Sequence, residues 1–283
     1  MGATTHGGSH FVNTPPLPGV SVIMPCHADT PFLRPAIDSV LAQTHPRVEL
    51  LVVVNGARHE ALRSLLENAY GHDTRVRLLS TPLPGLPFAL NLGLAAASHE
   101  LIARMDSDDL CHPERLARQA AHLQAHPDLA VLGSDYRLID EHGKVLRTSS
   151  RSALGNAGIR RVLPFRCLLC HPTVMFRKAP VLARGGFSFG AYSEDYDLWL
   201  RLRRDPTLGF AVLGEPLLDY RRHGTQATAS GSNGAILAHD LALKLRELVI
   251  TQHPIFLAGL AFCLVELGYK TFMQALRRLA PPR

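Results

Sequence analysis

Three carboxylates fall within four positions at Asp106, Asp108 and Asp109, just after the apolar run Leu101-Ile102-Ala103. Acidic groups gathered at the end of a buried strand repel one another, and a bound cation or basic ligand is the simplest way to hold them there. Asp106 and Asp108, two apart on an extended backbone, point to the same side. That geometry suits one divalent ion bridging to a phosphate. The alternative is a helix N-terminus, where Asp108 or Asp109 caps free N–H groups, with His112-Pro113-Glu114-Arg115 as the start of the helix. A second acidic group, Glu194-Asp195-Tyr196-Asp197, precedes the stripe Leu198, Trp199 and Leu202. Ser193 is placed to cap that helix, and the helix dipole by itself accounts for Asp197. The glycines between Gly185 and Gly190 form a lead-in that lets Glu194 and Asp195 face a cleft.

Carboxylates so far apart in sequence need a scaffold to meet, and the chain supplies one. Val20 to Pro25 reads as a buried strand. Asp29 or Thr30 can cap a following helix with Pro31 at its first position and Leu33, Ile37, Val40 and Leu41 at helical spacing. Val48 to Val54 is apolar throughout, as a parallel strand covered on both faces should be, and ends in the turn Asn55-Gly56. Helix (60–70), strand (76–79), helix (87–97) and strand (101–105) continue the alternation, which specifies an α/β domain with a mostly parallel sheet. Ligands bind beyond the carboxyl ends of such strands. Pro25-Cys26-His27, Asn55-Gly56 and Asp106-Ser107-Asp108 all lie at those ends.

Beyond a helix over 113–126 come a strand over 129–139, a hairpin turn at Asp140–Lys144, and a Gly-, Ala- and Arg-rich loop or short helix over 151–161. The apolar run 165–176 reads as strand-like. Within it Cys167-Leu168-Leu169-Cys170-His171 has the spacing of covalent haem attachment, a reading set aside because no export signal or redox context accompanies it. A last strand (210–218) leads into Tyr220-Arg221-Arg222-His223, which reads equally as a surface turn or a binding segment, and a small, polar linker runs to Asn233. A helix over 235–251 and an apolar run over 255–267 follow. That run is shorter than the about 20 residues a straight membrane span needs. Lys270, Arg277, Arg278 and Arg283 end the chain with no acid after Glu266, a pattern suited to an anionic membrane surface or to packing on the domain.

The 283 residues carry a net charge of +6, and the pI near 9.3 fits anionic partners. No basic run interleaved with aromatics is present, which disfavours nucleic acid. Five irregularly spaced cysteines argue for a reducing compartment and against a disulfide framework. The first eighteen residues, rich in Gly and Pro, read as a flexible tail and not as a signal peptide. The expected layout is therefore tail (1–18), α/β domain (19–225), and linker with C-terminal helices (226–283), located in the cytoplasm or peripherally at the inner membrane face.

With these motifs in place the chain resembles the inverting family 2 glycosyltransferases of the GT-A fold. The resemblance runs from Val20 to about His223 and rests on ordered motifs: Val20–Pro25, Asp38-Ser39-Val40-Leu41-Ala42-Gln43-Thr44, Ala89-Leu90-Asn91-Leu92-Gly93, Ala103–Asp109 and Glu194–Arg201. It implies a nucleotide-diphospho-sugar transferase fold with helices on both faces of the sheet, plus C-terminal helices. It also implies transfer of a sugar from a nucleoside-diphosphate donor to an acceptor hydroxyl with inversion. Asp106 would hold the donor ribose, with Arg104 and Ser107 beside it. Asp108 would ligate Mg²⁺ or Mn²⁺, joined by His223. Asp195 would be the general base, with Glu194 the next candidate. Pro25, His27, Asn91, His171, Arg221 and Arg222 complete the implied donor contacts, and His171 reads equally as a core histidine.

Two departures bear on the donor. Many members end the second strand in Asp-Asp-Gly-Ser, whereas this chain has Asn55-Gly56-Ala57. An amide still pairs with a uracil edge, so uridine remains the expectation. Pro25-Cys26-His27 replaces the family's proline–aromatic turn. Two other classes compete: a nucleotidyltransferase or nucleotide-sugar hydrolase using the same metal site, and a non-catalytic nucleotide-sugar scaffold. A nucleotidyltransferase would need a Gly-rich basic loop after the first strand for a triphosphate, which this chain lacks, and a scaffold has no need of Glu194-Asp195.

Overall fold

The alternation of side chains along the first two strands decides how the layers form. In a computed structural model, which describes residues 16–150, 155–188, 192–224 and 233–279 (backbone alone at 233 and 270–279), β1 (Val20–Cys26) and β2 (Val48–Asn55) are buried along their full length. Val20, Val22, Met24, Leu50, Val52 and Val54 face one apolar core, while Ile23, Leu51 and Val53 face a second. A strand buried on both faces needs helices on both sides. α1 (Leu33–Leu41), α2 (His59–Tyr70) and α4 (Arg115–Ala125) cover the first face. α3 (Leu86–Ala96) covers the second, joined by α5 (Asn156–Val162), α6 (Lys178–Ala183) and α7 (Glu194–Arg203).

The sheet has two halves. With β3 (Val76–Thr81) and β4 (Leu101–Arg104), the parallel half runs β3-β2-β1-β4. The other half continues through β8 (Met175–Arg177), β6 (Leu129–Ile139), β9 (Gly209–Arg221) and β5 (Leu110–Cys111), with β7 (Val145–Thr148) pairing β6. Here β8 is antiparallel to both β4 and β6, while β6 and β9 run parallel. This is the expected α/β architecture, mostly parallel, with helices on both faces.

Several local expectations change. The first helix begins at Leu33 with no side-chain cap from Asp29 or Thr30; instead the Thr30 carbonyl accepts the Leu33 N–H. The run 165–176 is not a strand: a 3-10 turn at His171–Thr173 interrupts it and only Met175–Arg177 pairs. Ser193 does not cap α7. Its backbone is left-handed (φ 59°), and its hydroxyl donates to the Asp240 carboxylate at 2.7 Å. Residues 1–15 of the expected tail (1–18), the linker residues 225–232 and Gly190 lie outside the described residues.

The C-terminal helices α8 (Asn233–Thr251) and α9 (Ile255–Leu279) share the second core through Leu243 and Phe256. Asp197, 2% exposed, pairs with Arg201 and Arg246, and fully buried Glu247 pairs with Arg204 and Arg246. Asp197 thus does more than meet the helix dipole: it ties α7 to α8. Among the described residues no helix is long and apolar enough to cross a membrane.

Candidate active site

β4 stops where its last residue turns toward β8. The Arg104 N–H donates to the Val174 carbonyl at 3.0 Å, and the fully buried Arg115 donates to the carbonyls of both Arg104 (2.8 Å) and Val174 (3.3 Å). The freed backbone carries Asp106, Ser107, Asp108 and Asp109 across the strand ends before β5 pairs β9. Carboxylate oxygens of Asp106, Asp108 and Asp109 lie within 4.8 Å of one another. The helix-cap alternative is removed, because α4 starts only at Arg115 and has no side-chain cap.

Each acid in this group has a different surrounding. Asp106 forms an ion pair with buried Arg104. Asp108 Oδ2 lies 2.9 Å from His223 Nε2. Asp109 is fully buried: its Oδ1 accepts the Arg221 N–H at 2.8 Å, and its Oδ2 has no hydrogen-bond partner. Burial pushes the Asp109 carboxyl well above the ordinary range, helped by the charges of Asp106 and Asp108. Burial also raises Asp106, with Asp108 adding to it and Arg104 opposing. Three oxygens-only side chains, mutually repelling, with one buried oxygen unpartnered, fit a hard dication of the Mg²⁺ or Mn²⁺ kind.

A second acidic group faces the same strand ends. His171, Glu194 and Asp195 place their ligating atoms within 4.8 Å of one another. The 3-10 turn brings His171 Nδ1 to 3.3 Å from Glu194 Oε1, with the ring tilted against Phe187 and edge-on to Trp199. Burial would raise Glu194, but the hydrogen bond and electrostatic effect of His171, joined by a backbone N–H and the Arg104 charge, outweigh it and hold the carboxyl below its usual range. Asp195 goes the other way: burial raises it, and the Glu194 charge adds while His171 opposes. Two adjacent carboxylates are thereby split, one held ionised by its partner and the other made more basic. Arg104 and His171 link the groups electrostatically, since Arg104 acts on Asp106, Glu194 and Asp195, and His171 acts on Asp106, Glu194 and Asp195.

The remaining expected donor contacts divide into rim and framework. His27 and Arg222 are exposed, Ser107 is half-buried in the acidic turn, and Pro25 is buried within β1. Three others are engaged by the protein's own backbone. Asn55, with its amide turned to satisfy both neighbours, donates to the Cys26 carbonyl at 3.0 Å and accepts the Gly85 N–H at 3.2 Å. Asn91 both donates to the Phe187 carbonyl and accepts its N–H, each at 2.8 Å. Arg221 donates to the carbonyls of Asp108, Asp140 and Glu141 and covers the Phe32 ring. These three position the strand ends and the lead-in to α7. Sequence reasoning noticed Asp109 only as part of the acidic run and gave no site role to it, to Arg115 or to Cys167, whose Sγ lies 3.8 Å from Asp195 Oδ2; the contacts that define their places reach across the chain.

The Asn91 clamp makes a prediction. Gly186 (φ +67°) lies so close that a Cβ there would sit 2.5 Å from Asn91 Oδ1, so the amide and the glycine fit as a pair. Asn91→Ala leaves two backbone groups of Phe187 without these partners, and the expected loss is about 1–3 kcal/mol of folding stability. Chemical denaturation measures it as a lowered midpoint with unchanged slope, and an unchanged midpoint refutes the clamp.

Comparison with known proteins agrees with this geometry. The family model described as Glycosyl transferase family 2 matches residues 21–186. The O-antigen biosynthesis glycosyltransferase WbnJ of Escherichia coli is 35% identical over 212 residues, covering 75% of this chain and 82% of that protein. The amylovoran biosynthesis glycosyltransferase AmsE of Erwinia amylovora is 34% identical over 187 residues, covering 65% and 67%. In fold, the crystal structure of S. aureus TarS 1-349 in complex with UDP-GlcNAc superposes with a TM-score of 0.63 at 17% identity, over 80% of this chain and 66% of that one. A GT-A-type sheet with two acidic groups on one rim, a match over more than half the chain and relatives above 30% identity lead to one assignment: this chain belongs to glycosyl transferase family 2 and is a glycosyltransferase.

Proposed function

We propose that this enzyme moves a sugar from a uridine-diphosphate donor to an acceptor hydroxyl during surface-polysaccharide or glycolipid assembly, with inversion at the anomeric carbon. The observation that carries the reading is the pairing of an acidic, dication-fitting group with a split carboxylate pair, linked through Arg104 and His171. Asp195 takes the acceptor proton as the acceptor oxygen attacks opposite the diphosphate; one base suffices for direct displacement. Glu194, held by His171, keeps a fixed negative neighbour beside Asp195. Asp108, with His223 beside it, would hold Mg²⁺ or Mn²⁺, which when bound would neutralise charge on the leaving diphosphate, and Asp106, paired with Arg104, would hold the donor ribose. Support for the donor comes from the UDP-GlcNAc in the TarS complex, and support for the setting from the names of WbnJ and AmsE. Calorimetric titration with UDP, GDP and dTDP, each with Mn²⁺ and with chelator, tests it. UDP is expected to bind only with metal; preference for another base overturns the uridine assignment.

A peripheral position at the inner membrane face belongs to the same reading. Val249, Leu257 and Val265 on the C-terminal helices are 68%, 57% and 72% exposed, and the sequence after Glu266 is purely basic in charge. Apolar side chains beside cations suit an anionic bilayer. Val249→Glu with Val265→Glu is expected to weaken cosedimentation with phosphatidylglycerol vesicles at least tenfold while leaving soluble turnover intact. Unchanged binding would assign the face to protein packing.

A further inference from the structure

Two buried nucleophiles outside the site meet between the C-terminal helices. Lys244 on α8 and Cys263 on α9 are 1% and 2% exposed, and Lys244 Nζ stands 2.6 Å from Cys263 Sγ. An N–H···O bond spans roughly 2.7–3.2 Å. Sulfur is larger than oxygen, so an N–H···S bond must be longer still. The separation is too long for a direct N–S single bond, and it matches two bonds meeting at one bridging atom of oxygen size.

The surroundings hold the pair in place. Nζ also donates to the Phe165 carbonyl at 2.7 Å and lies 5.9 Å from the Tyr196 ring centroid. α9 is pressed against the same segment, since a Cβ on Gly259 would sit 2.2 Å from the Pro164 carbonyl oxygen. The Lys244 stem packs on the same spot, with its Cδ 3.7 Å from that Cβ position. Buried thiols are ordinarily inert because bulky oxidants cannot reach them, whereas dioxygen is small and apolar.

We propose that Lys244 and Cys263 form a redox-sensitive modification site, converted by dioxygen to a covalent Nζ–O–Sγ bridge and reopened by dithiols. In the forward step an N–O and an O–S bond form while the O–O bond, one N–H bond and the S–H bond break. The second oxygen leaves as water. Nitrogen and sulfur each give up two electrons, and dioxygen accepts the four. In the reverse step two dithiols supply four electrons and become two disulfides, returning amine, thiol and water. The position matters because Asp240, one turn before Lys244, accepts the hydroxyl of Ser193, the residue preceding Glu194 and Asp195. A bridge that fixes α8 against α9 therefore also fixes the support of the base.

The test is intact-mass and peptide mass spectrometry of the full chain, purified in air and then treated with dithiothreitol. The expected species in air carries one oxygen more and two hydrogens fewer, joins the peptides of Lys244 and Cys263, resists trypsin at Lys244, and reverts on reduction. Lys244→Gln and Cys263→Ser, made separately, should each abolish it. A Cys263 that stays free after prolonged aeration, or is trapped as sulfenic acid with Lys244 unmodified, overturns the proposal. Amide exchange reads the second claim: slower exchange at 193–197 in the bridged form is expected, and equal exchange overturns the transmission to the base.

Discussion

Asp195→Asn is expected to leave metal-dependent UDP binding within twofold of the parent while lowering transfer by about 10²–10⁴-fold, the usual contribution of a positioned base. That range corresponds to roughly 3–5 kcal/mol of transition-state stabilisation, at about 1.4 kcal/mol per tenfold. The amide is close to isosteric with the carboxylate and removes only proton acceptance. Titration measures the first quantity and single-turnover sugar transfer the second. Near-normal transfer would move the base elsewhere, with Glu194 next in line. Glu194 makes a poorer base on the geometry, because its Oε1 already meets His171 Nδ1 at 3.3 Å and its carboxyl is held below the usual range after His171 offsets burial. The raised pKa of Asp195, caused first by burial and then by the Glu194 charge, sets the sign of the pH dependence. The active form is deprotonated, so transfer should fall on acidification at a higher pH than an ordinary aspartate would give. A variant His171→Gln removes the imidazole whose electrostatic effect opposes this rise and should shift that acidic limb further upward.

What could be read from the chain, and what could not, follows the range of the interactions. The parallel half of the sheet was legible because its cause is local. Val20, Val22 and Met24 alternate with Ile23, and β2 repeats the pattern, so two-sided burial is written into consecutive residues. The acidic turn was legible for the same reason, since three carboxylates in four positions need no distant partner to be noticed. Its internal division was not. Asp109 looks like its neighbours in sequence, yet it is fully buried because it satisfies the N–H of Arg221, 112 residues away. Asn91 and Phe187 are 96 residues apart, and neither residue type announces the other. The resemblance implies donor contacts for Asn91, Asn55 and Arg221, and it gives no sign that their amide and guanidinium groups also bind distant backbone. The error over 165–176 has a similar origin: the segment is apolar because it lies beneath α7 and α9, and burial without period-two alternation does not specify a strand. Ser193 completes the pattern, because its hydroxyl is taken by Asp240 on a helix whose docking no local signal predicts.

Asp108→Ala should have the largest effect on donor binding, and its effect on stability has the opposite sign. Asp108 is the carboxylate of its group with neither an arginine ion pair nor full burial: it is 23% exposed at its side chain and faces His223, whereas Asp106 meets Arg104 and Asp109 is enclosed. It is therefore the member best placed to accept an incoming cation. Removing it should lower UDP affinity measured with Mn²⁺ by at least 10²-fold, in line with the several kcal/mol a metal ion supplies to phosphoryl oxygens. With chelator, parent and variant should be alike in showing no UDP binding. If the variant binds UDP equally with metal and with chelator, and as tightly as the parent, the metal assignment fails. Thermal unfolding separates this from a merely structural role. Three carboxylates within 4.8 Å repel in the metal-free protein, and the charge of Asp108 raises both Asp106 and Asp109. The metal-free variant should thus unfold at a higher temperature than the metal-free parent, because the repulsion is relieved. With Mn²⁺ added, the parent should gain stability by mass action while the variant does not. A site kept for packing would show the reverse: lower stability in the variant and no response to metal in either protein. The crossing of the two stabilities is the physical signature of a cluster that costs the fold something in order to hold an ion.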